Sequence, residues 1–191
     1  MIERLGSDYG GWWCDPDLVS PGDFVIDAGV GLDVSFAKEL INRRDVRVVG
    51  IDPGYYALRF VAEQALPNYL FVLGAVSPNG SGVTMYRDLG SESCYPDHEQ
   101  MRPIVEAHKV PGVSIVELVK ELEPKLVKMD IEGAEYGVYR QCFGVKQVLI
   151  EFHHGRVRRF TEKDTNSAVK EFLDYGYKIL HQEDRSYTFL L

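Results

Sequence analysis

The sequence predicts an α/β fold: one domain on a mostly parallel sheet of seven strands, with helices on both faces. Three observations carry this expectation. Continuous apolar runs recur at 24–27, 46–52, 69–76, 126–130 and 148–152, as in strands covered on both sides. Helical periodicity fills most of the intervals between them, with short connections. The first run breaks at once into Gly29 and Gly31 and then a helical pattern, the strand-turn-helix opening of nucleotide-binding units.

The chain has 191 residues, enough for one domain with a full core and too few for two ordinary ones. No linker divides it, so residues 1–191 read as a single domain. Its net charge of −8 argues against a nucleic-acid backbone or an anionic membrane as the main partner. The one basic cluster, Arg156, Arg158 and Arg159, reads as a solvated loop. Cys14, Cys94 and Cys142 lie far apart without a CxxC pair, which fits free thiols in a reducing compartment. The N-terminus has no apolar core of a signal peptide and no stretch approaches 18 apolar residues. A cytoplasmic location without membrane insertion is expected. No extra apolar stripe speaks for or against an oligomer.

In chain order, residues 1–22 form a polar and aromatic lead-in, with Trp12 and Trp13 packing as a lid on the domain edge; a part in shielding the ligand is the alternative. After the strand at Phe24–Asp27, residues 33–41 present Phe36, Ala37, Leu40 and Ile41 on one helical face. Val46–Asp52 is the second strand. Tyr56–Leu66 is a helix with Leu58, Val61, Ala62, Ala65 and Leu66 inward, ended by Pro67. Tyr69–Val76 is the third strand. Right-handed crossovers between these strands make them parallel. Val83–Tyr86 reads as a short edge strand. Residues 87–112 hold few apolar side chains and read as an irregular substrate loop. Ile115–Leu122 is a helix, Leu126–Asp130 a strand, 134–141 a short helix and Val148–Phe152 a strand. Asn166–Tyr175 is an amphipathic helix through Ala168, Val169, Phe172 and Leu173. Tyr177–His181 and Ser186–Leu191, joined by a short turn, form an antiparallel pair.

Ligands of open parallel sheets bind outside the carboxyl ends of the strands. Acidic residues gather there: Asp27, Asp52, Asp130 with Glu132, and Glu151 followed by His153 and His154. Such an acid either accepts hydrogen bonds from ribose hydroxyls or an ammonium group, or caps the following turn. The glycine stretch departs from the dinucleotide pattern GxGxxG, because Val34 stands at its last position. Asp33 would also repel a pyrophosphate at the helix start. A ligand with adenosine and a positive centre, but no phosphate, suits these charges. Alternation puts Glu151 and His153 on one side of their strand and His154 on the other. Glu151 and His153, with Asp130 and Glu132 one strand away, could form an acid-base site or hold a hard metal ion. His153 is the better general base on its unperturbed pKa. No G-x-S-x-G elbow, Walker loop or H-E-x-x-H helix is present.

These residues also carry a resemblance. VIDAGVGLDVSF, VVGIDP, KMDIEGAEYGV (Lys128–Val138) and VLIEFHH are together similar to the FkbM-type family of S-adenosylmethionine-dependent methyltransferases, nearest its branch with a GVGxDxSF first motif. The likeness runs from Tyr9-Gly10-Gly11-Trp12 to the final strand; Gly31 stands where the wider family usually has asparagine. It implies a Rossmann-like class I methyltransferase fold with an antiparallel last strand, and S-adenosyl-L-methionine as cofactor. By that resemblance Asp27, Gly29 and Gly31 surround the methionine and sugar, with Asp33 beside them, and Asp52 takes the ribose hydroxyls. Ala75 and Val76 read the adenine edge, and Asp130, Glu132 and Gly133 line the wall beside the methyl. It further implies O-methylation of a hydroxyl on a small molecule, sugar, glycan or lipid. His153 or Asp130, with Glu132, would handle the proton. Acid-base catalysis without metal is the expectation; a divalent cation on Asp130, Glu132 and Glu151 is the alternative. Tyr95, His98, Arg102 and His108 are candidate acceptor contacts. The competing readings are a non-catalytic binding protein of the same fold and an NAD(P)-dependent oxidoreductase.

Overall fold

In the computed structural model, which describes residues 1–87, 92–98 and 104–191, each apolar run forms a strand. The lead-in is a hairpin of β1 (Glu3–Leu5) and β2 (Trp12–Cys14). There follow β3 (Phe24–Ala28), α1 (Ser35–Arg44), β4 (Arg47–Asp52), α2 (Tyr55–Gln64) and β5 (Tyr69–Leu73). A second group holds β6 (Ala75–Val76), β7 (Val83–Arg87), β8 (Glu92–Ser93), β9 (Glu106–Val110) and β10 (Gly112–Val113). The last third supplies α3 (Ile115–Leu122), β11 (Leu126–Met129), α4 (Glu135–Val138) and β12 (Gln147–Glu151). It closes with α5 (Glu162–Tyr175), β13 (Lys178–Glu183) and β14 (Ser186–Leu190).

Seven strands make the main sheet, in the order β13-β14-β12-β11-β3-β4-β5. The five from β12 to β5 are parallel. β14 runs antiparallel between β12 and β13. This is the expected sheet, with the reversed strand inserted beside the edge rather than at it.

Local chemistry sets the helix ends. The Ser114 hydroxyl accepts the Glu117 N–H at the start of α3. Thr161 and Asp164 form a capping box, which starts α5 at Glu162, a turn before its apolar face begins. On that face Leu173 is exposed, and Thr165 is buried instead. α2 buries only Ala57 and Val61; Ala62 and Ala65, expected inward, face solvent. It packs on the edge strand β5, which leaves those two residues of its expected stripe uncovered. The run 69–76 breaks at Gly74, where a Cβ would sit 2.8 Å from the Val113 side chain and 3.0 Å from the Pro111 carbonyl oxygen. Beyond it, β6 leaves the sheet to pair with β10.

Residues 87–112 differ most from expectation. Val83–Tyr86 belongs to β7, the central strand of a separate antiparallel sheet ordered β8-β7-β9. β9 lies inside the stretch read as irregular. It buries only Val110, so it carries no apolar alternation to betray it.

The main sheet has two covered faces. Ile26, Val49, Ile51, Val127, Met129 and Ile150 pack under Ile115 of α3, Val138 of α4 and Phe172 of α5. On the other face, Val25, Val48, Leu126 and Leu149 pack under Phe36 and Leu40 of α1 and Leu5 of the hairpin. Two residues beyond Val25 and Leu126 on that second face stand the register partners Asp27 and Lys128, 3% and 6% exposed. The Lys128 ammonium lies 3.2 Å from Asp27 Oδ1 and donates to the Gly29 carbonyl. The Trp12 ring covers it at 5.6 Å. Asp27 is thus an interior strand residue, not an edge acid.

Removing one member of a buried ion pair leaves a charge without compensation. Lys128→Met should therefore lower stability by about 3–5 kcal/mol in urea unfolding, with Asp27→Asn in the same chain restoring most of it. A single-variant loss under about 1 kcal/mol would contradict this account.

Candidate active site

The carboxyl ends of β3, β4, β11 and β12 open into a cleft of about 1070 Å³. Its floor is the turn after β3. Gly29 has φ +82°, and a Cβ there would fall 1.6 Å from the Asp130 carbonyl oxygen. Its glycine is required by the neighbouring strand rather than by a ligand. Gly31, at φ +57°, has nothing within 4 Å of the Cβ position and lines the open cleft. Asp52 ends β4 on the next wall. Its two oxygens accept the N–H groups of Gly31, at 2.9 Å, and of Gly54, at 2.7 Å. Burial raises the Asp52 carboxyl above its ordinary value despite these bonds. Ala75 and Val76 line the far side.

Asp33 sits at the start of α1. It accepts from the Ser7 hydroxyl at 2.5 Å and the Ser35 N–H at 2.7 Å. Burial opposes its charge, but the bonds from Ser35, Ser7 and Gly10 hold the carboxyl below its usual value. Asp27 does not line the cleft; it reaches the site only through Lys128, which does.

The acid and histidine residues after β11 and β12 converge. His153 is 3% exposed. Its Nδ1 lies 3.0 Å from Glu135 Oε1, an oxygen that also accepts the His153 N–H at 2.7 Å. Its Nε2 stands 3.5 Å from Asp130 Oδ1 and 3.5 Å from Glu132 Oε2, and 3.9 Å from Glu151 Oε1. Burial disfavours the charged imidazole, but Glu135, Asp130 and Glu132 overcome it and raise His153 to about 9. These carboxylates favour the charged ring in the ligand-free protein, so its unperturbed pKa is no guide to its role as a base. Burial raises Asp130 to about 6, helped by Glu151 and opposed by Lys128. Glu132 is held below its ordinary value, against burial, by the hydrogen bond with His98 and the charge of His153. Glu151 is drawn towards Arg185, 3.4 Å away. His154 turns aside to Thr165 Oγ1 at 2.8 Å.

The expected acceptor contacts are dispersed. His98 lies 2.8 Å from Glu132 Oε2, beneath the cleft wall. Tyr95 packs on Phe160 and under Arg159. His108 pairs with Glu92, which does line the cleft. Arg102 lies outside the described residues. The basic cluster divides, with Arg156 on the cleft and Arg159 bound to Asp97 at 2.7 Å. Beyond Glu151 the cleft continues along Trp12, Trp13, His181, Glu183 and Tyr187. Trp13 stacks on His181 with centroids 4.5 Å apart, a partner that the sequence reading did not foresee. Glu135, 0% exposed, and Lys128 were also missed as site residues. A lysine inside an apolar strand was the available signal for the second.

An open glycine turn, an acid at the end of the second strand and a long cleft fit an adenosyl group carrying a sulfonium. With the inserted antiparallel strand, they define a Rossmann-like class I methyltransferase that uses S-adenosyl-L-methionine. Residues 7–179 match the Methyltransferase FkbM domain, and the chain belongs to that family. Among curated proteins none matches the chain significantly. Many solved structures share the fold, three of which illustrate it. The fibrillarin pre-rRNA processing protein of Methanococcus jannaschii has a TM-score of 0.55 at 8% identity, covering 99% of this chain and 82% of its own. Precorrin-6y C5,15-methyltransferase of Geobacter metallireducens has 0.50 at 11%, covering 90% and 80%. SMU.1697c, a putative methyltransferase of Streptococcus mutans in complex with SAH, has 0.50 at 9%, covering 91% and 90%. No helix among the described residues is long and apolar enough to cross a membrane.

The two glycines of the floor should respond differently to alanine. Gly29→Ala should cost ~3 kcal/mol or more in urea unfolding, because the Asp130 backbone cannot yield. Gly31→Ala should cost only about 1–2 kcal/mol, the left-handed backbone penalty. Equal losses would refute the distinction.

Proposed function

We propose that the methyl group goes to a hydroxyl of a neutral, polyhydroxylated acceptor: a small molecule, a sugar, or the sugar part of a glycan or lipid. The observation that carries this reading is the continuity of one cleft from Asp52 and Ala75, past Asp130, to the wall of Trp13, His181, Glu183 and Tyr187. Flat aromatic faces suit the C–H faces of a sugar, and carboxylates accept hydrogen bonds from its hydroxyls. The same acids disfavour a phosphorylated or nucleic-acid acceptor. An NAD(P)-dependent reaction is disfavoured by Asp33, whose charge stands where a pyrophosphate would meet α1.

In this reading Gly31, Asp52, Ala75 and Val76 hold the cofactor, with Asp33 bracing the turn. The acceptor oxygen attacks the sulfonium methyl in line from about 3 Å, as the C–S bond breaks. Asp130, Glu132 and His153 line the wall that positions that oxygen, and its proton is released to water. The deciding experiment supplies labelled S-adenosyl-L-methionine with a panel of neutral sugars, glycolipids, amines and RNA. Methyl ethers on the hydroxylated members are expected; transfer confined to amines or RNA would overturn the proposal.

Two variants separate the halves of the cleft. Asp52→Ala should weaken S-adenosylhomocysteine binding about 10- to 100-fold by calorimetry, the worth of hydrogen bonds to a charged group. Trp13→Ala should raise KM for the acceptor while kcat stays within about threefold, as expected for uniform binding.

A further inference from the structure

Asp130, Glu132 and His153 line the cleft, and each offers one ligand atom within 4.8 Å of the others. The set is mixed, two carboxylates and an imidazole, on two adjacent strand ends. His153 is what separates it from an ordinary acidic rim. The side chain is 4% exposed, its Nδ1 is taken by Glu135, and its Nε2 points at the two carboxylates. At 3.5 Å from each, Nε2 is beyond a good hydrogen bond to either. Cis ligands of an ion with bonds of about 2.1–2.3 Å stand about 3 Å apart, so the histidine would move little, while the two carboxylates, within 4.8 Å, would close further to enclose a cation.

The supporting layer is also in place. A metal-bound histidine donates its other ring nitrogen to a carboxylate or carbonyl, which fixes tautomer and orientation. Glu135, buried and also holding the His153 N–H, does this. His98 orients Glu132 from behind at 2.8 Å. Glu151 is engaged by Arg185 and stands outside the set.

We propose that Asp130, Glu132 and His153 bind one divalent cation of the Mn²⁺ or Mg²⁺ type, and that this ion holds the acceptor through two neighbouring oxygens. The inference rests on the O-methylation reading and gives its acceptor a narrower class: compounds with vicinal hydroxyls, or a hydroxyl beside a carboxylate. Carboxylate-rich sites suit Mg²⁺ and Mn²⁺, and the imidazole favours Mn²⁺. Three protein donors leave adjacent positions of a six-coordinate ion open to the cleft. A hydroxyl bound there is more acidic. Its oxygen forms the new O–C bond as the C–S bond breaks, giving a methyl ether, S-adenosylhomocysteine and one proton released to water.

The test titrates chelator-treated protein with MnCl₂, following free Mn²⁺ by electron paramagnetic resonance. One saturable site per chain with Kd below about 100 µM is expected, weakened at least tenfold in Asp130→Asn and in Glu132→Gln. Circular dichroism, and S-adenosylhomocysteine binding by Glu132→Gln within about threefold of the parent, would show that the loss is not unfolding. No saturation below about 1 mM, or equal binding in parent and variants, would overturn the cation site. If the parent binds S-adenosylhomocysteine but no Mn²⁺, the cation falls and the methyltransfer reading stands. If Mn²⁺ binds but only amines are methylated, the acceptor class falls.

Discussion

The interior pair of Asp27 and Lys128 is the constraint on which the active site depends. Two adjacent parallel strands place these residues side by side within an otherwise apolar face. A charge there is tolerated only when paired and supplied with further polar partners. Lys128 finds them in Asp27, in the Gly29 carbonyl and in the face of Trp12. One ammonium thereby ties together the strand end, the glycine turn and the lead-in hairpin. A one-residue slip between β3 and β11 would bury both charges apart. The same lysine lowers the charge cost of Asp130, so the glycine floor of the cleft and its acidic wall share one buried cation.

The acidic wall follows a second rule. Four carboxylates, those of Asp130, Glu132, Glu135 and Glu151, surround His153 within 3.9 Å. Glu135 is wholly buried, and it accepts both the backbone N–H and Nδ1 of His153 while also receiving the Gly133 N–H. A turn of the chain and a side chain from the next strand are thereby set by one carboxylate. Glu132 adopts a left-handed backbone at φ +53°, which turns its side chain towards His98 and His153.

Much of this was legible in the sequence because parallel strands covered on both faces read as unbroken apolar runs. Leu126, Val127 and Met129, or Val148, Leu149 and Ile150, need no partner to be recognised. Asp52 and Asp130 were legible as strand-end acids for the same reason. What failed to show depends on residues far apart in the chain. Nothing local in Trp13 announces a stack on His181, and nothing in His153 announces that Glu135 will raise its pKa. β9 escaped because a strand with one buried residue carries no period. Asp27 looked like an edge acid until its neighbour across the ladder was known. The lone Lys128 in an apolar run was the clue to that neighbour.

The placement of β14 bears on how the chain is made. β12 pairs with β11 on one side and with β14 on the other, and β13 joins the sheet only through β14. On the ribosome, the apolar edge of β12 therefore stays open until residues 186–190 have emerged, after α5 and β13. An uncovered strand edge recruits other strands, so the nascent protein passes through an interval in which it is prone to associate with its own copies. Closure then comes in one step, since β14 fills both of its ladders together. How quickly this five-residue strand finds its slot sets how long that edge stays open.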